Sequence, residues 1–102
     1  MAHVPVRFRL NHAGKLVTEP EPPIPVGPND TVEWTCDEGE FTVSFGEQKV
    51  FDGPQPFHGA TGRPTGKMKV RADVERGRHF DCTVTLNGKV MDKVYGVDTT
   101  GG

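Results

Sequence analysis

Between residues 27 and 45 the chain reads GPNDTVEWTCDEGEFTVSF. Apolar side chains fall at every second position, first Val32, Trp34 and Cys36, then Phe41, Val43 and Phe45. A period of two places each set on one side of an extended strand and the intervening polar residues on the other. A helix would scatter the same residues around its circumference. Turn residues bracket both runs: Gly27, Pro28, Asn29 and Asp30 before the first, and Asp37, Glu38 and Gly39 between the two. The stretch therefore reads as an antiparallel β-hairpin with one buried face.

The same period recurs along the chain. Val4, Val6, Phe8 and Leu10 alternate with Pro5, Arg7 and Arg9. Pro5 has no N–H to give a ladder, so this strand is expected to start at a sheet edge. Residues 11–14 read as a turn before Lys15, Leu16 and Val17. Pro20, Pro22, Pro23 and Pro25 then hold the chain extended, with Ile24 and Val26 as apolar anchors. Met68 and Val70 begin a further strand. Phe80, Cys82, Val84 and Leu86 alternate again and stop at Asn87-Gly88, a pair that tolerates positive φ and so marks a tight hairpin. A last strand is expected over 90–97. No window of eleven or more residues has the spacing of an amphipathic helix, and the 13 glycines and 9 prolines favour turns and short strands. The 102 residues suffice for one core. The expectation is an all-β, Greek-key sandwich of about seven to eight strands. It forms one domain over residues 1–98, followed by a polar, flexible tail at 99–102.

Residues 51–66, FDGPQPFHGATGRPTG, break the pattern and read as one long surface loop. Phe51 and Phe57 are expected to pin it to the core. Long loops on compact domains often carry function.

Several activities are disfavoured. The net charge is −2 with both signs dispersed, which argues against a broad nucleic-acid face. The one basic cluster, Arg63, Lys67, Lys69 and Arg71, reads as a strand edge guarded by charge. No apolar run has the length of a membrane span. The start carries no secretory pattern, so the chain is expected in the cytoplasm unless a leader has been removed. Cys36 and Cys82 fall on apolar phases and read as small buried hydrophobes, their pairing left open. His3, His12, His58 and His79 match no metal-binding spacing. Of these, His58, beside Phe57 in the long loop, stands nearest to a functional role. Ser44 is the only serine, and neither a nucleophile elbow nor a triad is present. The 37–40 run, DEGE, lacks the ligand ladder of a calcium loop. Gly59, Gly62 and Gly66 neither follow a parallel strand nor open a helix, so they make no phosphate cradle.

Four segments resemble cupredoxins: the opening VRFRL, the run IPVGPNDTVEW, GEFTVSF with the Pro56-Phe57 loop after it, and GRHFDCTVTLNG. The resemblance covers most of the chain and implies a cupredoxin-like sandwich. It does not carry over a type 1 copper site, which needs two imidazoles, a thiolate and a weak axial thioether. Phe41 stands at the first histidine position and Val84 at the thiolate position. Met91 lies near the axial position, and no histidine follows Cys82. A two-residue shift would make Cys82 the thiolate but still leave the site incomplete.

These readings lead to a non-catalytic, copper-free interaction module with no cofactor, whose partner is another protein. The expected contact residues are Phe57, His58 and Arg63 in the long loop, and Asp37, Glu38 and Glu40 in the turn. Two alternatives accompany it. The chain ends in Gly101-Gly102, the slim tail of a ubiquitin-like modifier, although such modifiers wrap a β-grasp around a helix and no helix is found. The other alternative is a degenerate copper or redox protein using Cys82, Met91 and a histidine from elsewhere.

Overall fold

The alternation is realised residue for residue: along Thr31–Cys36 every second side chain is buried, and Val32, Trp34 and Cys36 all point into the core. The computed structural model describes residues 2–19, 24–53, 55–91 and 94–99, with the backbone alone at 94 and 95. The described residues contain no helix and ten strands. These are β1 (His3–Leu10), β2 (Leu16–Glu19), β3 (Ile24–Val26), β4 (Thr31–Cys36) and β5 (Phe41–Ser44), then β6 (Phe57–Gly59), β7 (Met68–Lys69), β8 (His79–Leu86), β9 (Lys89–Val90) and β10 (Val94–Thr99). One sheet has the order β2-β1-β4-β7 and the other β3-β10-β8-β5-β6, with β9 also on β8. The protein is an all-β sandwich of two mixed sheets. No helix among the described residues is long and apolar enough to cross a membrane.

The strand count exceeds the expected seven or eight for two local reasons. The long loop contains β6, which pairs with β5 from Phe41–Gly59 to Val43–Phe57. The last strand is divided: β9 folds back on β8 through Asn87 (φ 52°) and Gly88 (φ 81°), the left-handed pair that the Asn-Gly sequence demands. β10 then runs antiparallel to β8, with a bulge between Val94 and Val97. It continues through Thr99, so the paired chain extends to the first residue of the expected tail. Thr99 is buried. Its N–H donates to the Arg78 carbonyl at 2.9 Å and its hydroxyl to the Glu75 carbonyl at 2.5 Å.

The expected hairpin at 31–45 is overturned. β4 and β5 do not pair; they lie in different sheets, and the 37–40 turn carries the chain across the sandwich. Alternation specifies which face of a strand is buried. It does not specify whether two successive strands meet edge to edge or face to face. The edges of β4 are taken by β1, in parallel register from His3–Thr31 to Phe8–Cys36, and by β7. Those of β5 are taken by β8 and β6. Crossing over brings the two apolar rows into one core, where Trp34 meets Phe45 at 6.0 Å between ring centroids and Phe8 meets Phe41 edge-on at 5.8 Å. The described part of β2 pairs with β1 only from Arg7 to Leu10, so Pro5 has β4 on one side and no described strand on the other.

Phe51 and Phe57 pin the long loop as expected. Both are buried against Trp34, Phe51 edge-on at 5.3 Å and Phe57 stacked at 5.8 Å. Gln55 secures the stretch between them: its side-chain Oε1 accepts the Phe45 N–H at 2.5 Å. Asp30 ties the N-terminal chain to the 27–30 turn by accepting the Ala2 and Gly27 N–H groups, both at 2.8 Å. The Ala2 bond holds the Asp30 carboxyl below the usual carboxylate range.

On the outer face of the second sheet His79 bridges two carboxylates. Its Nδ1 lies 2.5 Å from Asp98 on β10 and its Nε2 2.6 Å from Asp81 on β8. A neutral imidazole has one N–H and serves one of them; the imidazolium serves both. The Asp98 hydrogen bond raises the His79 pKa above its ordinary 6.5. The stabilisation is therefore complete below about pH 6.5 and is lost as pH rises through the folded-state value. The side chain is 42% exposed, so solvent screening keeps the effect below about 1 kcal/mol. The stability gap between the native chain and His79→Gln, measured by urea unfolding, should be larger at acid than at alkaline pH. A gap independent of pH would contradict this reading.

Candidate functional site

The register of the second sheet lines up three outward side chains. Thr42 on β5 is opposite His58 on β6 and also opposite Thr85 on β8. Each sits on the solvent phase of a strand whose other phase is core, Phe41 and Val43 on β5 and Val84 and Leu86 on β8. Together they floor an open groove of about 560 Å³. Glu40, at the end of the crossing turn, and Gly88, in the β8–β9 turn, form one wall. These two turns are joined: the Asn87 N–H donates to the Glu40 carbonyl at 2.7 Å, and the Glu40 N–H to the Asn87 side-chain oxygen at 3.2 Å.

Ala60, Arg63 and Pro64 also line the groove. They belong to a tight return in which the Arg63 N–H donates to the Ala60 carbonyl at 2.8 Å. Beyond it the chain crosses to the first sheet and covers the edge of β4. The Gly62 N–H reaches the Cys36 carbonyl at 2.9 Å, and the Thr65 N–H reaches the Trp34 carbonyl at 3.0 Å. The 59–66 stretch is thus a bonded strap joining the edges of the two sheets.

Gly59 couples the groove to the core. A Cβ at this position would lie 2.3 Å from the Phe41 ring, so only glycine allows the strand to rest on that ring. Phe41 is itself buried and backed by Phe8. Val84 is equally buried, and Met91, half-buried, packs against the same cluster. Phe41, Val84 and Met91 thus all belong to the hydrocarbon packing beneath the groove.

The structure unites part of the expected contact set. His58 and Arg63 from the long loop and Glu40 from the turn line one groove. Their side chains make no ion pair or hydrogen bond with another described residue, although Arg7, Arg9, Arg71 and Arg78 each hold a carboxylate. Asp37 is exposed and paired with Arg7. Glu38 is exposed in the same turn and does not line the groove. Phe57 is 4% exposed and stacks on Trp34, so it supports the wall from inside and offers no surface to a partner. Gly101 and Gly102 lie outside the described residues.

Thr42, Thr85 and Pro64 also line the groove and do not stand out in the sequence. The alternation marks Thr42 and Thr85 as outward-facing, but only the register sets them beside His58. Among the described residues no three His, Cys, Asp or Glu side chains gather where they could hold a metal ion. Cys36 and Cys82 are buried thiols; burial raises both pKa values, that of Cys82 to about 12. Comparison of the chain with protein-family models and with curated proteins returns no match.

The placements separate support from contact. Phe57→Ala removes a stacked core ring and should cost about 3–5 kcal/mol of stability. Arg63→Ala, at an exposed and unpaired side chain, should stay within about 0.5 kcal/mol of the native chain. Urea unfolding of the two variants checks both. Equal losses would mean that Arg63 is part of the scaffold.

Proposed function

We propose that this chain is a non-catalytic binding module, a copper-free sandwich of cupredoxin-like, Greek-key type, that acts by contact with another protein through the groove. One observation carries the reading. Glu40 lies in the crossing turn, His58 on β6 and Arg63 in the strap, yet the three line a single groove with their polar groups uncommitted among the described residues. Uncommitted charge on a rigid, strand-built floor is what a recognition surface requires. The glycine-on-ring contact beneath the groove supports the copper-free part, because Phe41 is needed as a foundation where the resembling proteins place a ligand. A redox role for Cys82 has less support, since its thiol is buried and held protonated up to about pH 12. A reducing, cytoplasmic setting suits two buried thiols.

The test is affinity capture of the native binding partner by the folded chain, repeated with His58→Ala and Arg63→Ala combined. Capture should fall by about tenfold, the loss of a charge-assisted contact, while the unfolding midpoint stays unchanged. Capture undiminished by the double replacement would remove the groove as the contact surface.

A further inference from the structure

We infer that the groove receives an extended peptide segment of the partner bearing an acidic side chain, whose carboxylate seats on Arg63 and His58. The inference rests on the protein-binding reading above and names the chemistry of what is bound. Apart from Glu40, the polar side chains of the groove are donors. His58, Thr42 and Thr85 form one cross-strand row, offering an imidazole and two hydroxyls. With neighbouring strands about 4.8 Å apart, the row spans roughly 10 Å, the length of three extended residues. Arg63, returned beside Ala60 by the tight turn, adds a guanidinium, whose fork of N–H groups matches a carboxylate in geometry.

Within the molecule nothing already satisfies that fork. Arg7, Arg9, Arg71 and Arg78 are each committed to an internal carboxylate, whereas Arg63, like Arg76, has none among the described residues, and of these two only Arg63 lines the groove. Glu40 also lines the groove and repels a carboxylate set beside it. Ala60 and Pro64 supply apolar surface beside Arg63. A groove of about 560 Å³ has room for a short peptide segment.

The test uses the whole chain, isotope-labelled, titrated by NMR with blocked five-residue peptides. Each alternates alanine and valine around a central glutamate, glutamine or lysine. The glutamate peptide should bind about tenfold more tightly than the lysine peptide, with shifts centred on Thr42, His58, Arg63 and Thr85. Arg63→Gln should abolish that preference without changing the unfolding midpoint, and Glu40→Gln should strengthen binding of the glutamate peptide. Equal binding of all three peptides in the groove would overturn acid selectivity while leaving the groove a contact site. A preference that survives Arg63→Gln would do the same. No shifts with any peptide, or shifts confined to another surface, would overturn both the inference and the reading beneath it.

Discussion

The structure depends on one crossing. At residues 37–40 the chain leaves the sheet that contains β4 and enters the one that contains β5, so two apolar rows that are neighbours in sequence face each other across the core. Burial of such rows is the main favourable term in folding a chain of this size. Here it is concentrated in aromatic contacts: Trp34 touches Phe45, Phe51 and Phe57, and Phe8 touches Phe41. Because Phe51 and Phe57 are contributed by the long loop, the same cluster that joins the sheets also holds the strap at 59–66 against them. The groove follows from this arrangement. Its floor is the outer face of β5, β6 and β8, and its walls are the crossing turn and the strap.

This origin accounts for the division of labour among neighbouring residues. Phe57 and His58 are adjacent in sequence, yet one is core and the other surface, because β6 alternates like every other strand. Gly59 then lies on Phe41, bringing a core ring within reach of the groove floor. The polar groups on the rim are supported by hydrocarbon on the inside, so they are positioned without being neutralised. Elsewhere on the surface, cations sit beside carboxylates: Arg7 with Asp37, Arg71 with Asp73, Arg78 with Glu75, and His79 with Asp81 and Asp98. In the groove, Glu40, His58 and Arg63 have no such partner among the described residues.

Much of the fold is legible in the sequence. The period of two locates β1, β4, β5 and β8, the buried side of each, and the burial of both cysteines. The Asn87-Gly88 pair marks its hairpin because left-handed backbone geometry is available to few residue types. Legibility stops at pairing. Alternation reads identically for strands joined edge to edge and strands stacked face to face, so the hairpin expected at 31–45 is instead a crossing. β6 is hidden because three residues, FHG, are too short to show a period. The candidate site is half legible for the same reason. His58, Arg63 and Glu40 stand out as polar residues in turns or loops, whereas Thr42 and Thr85 enter only through a register that depends on long-range contacts. The resemblance to cupredoxins identifies Phe41 as unusual; that the ring supports Gly59 emerges only from the packing.

The most direct measurement of the central claim is amide hydrogen exchange on the intact chain, alone and saturated with its native protein partner. Exposed turn amides exchange quickly unless something covers them. The account predicts that binding slows exchange in the 60–64 turn and at Gly88, the two rims of the groove, and leaves the opposite sheet, β2-β1-β4-β7, unchanged. Protection confined to that opposite sheet, with both rims exchanging as before, would contradict it.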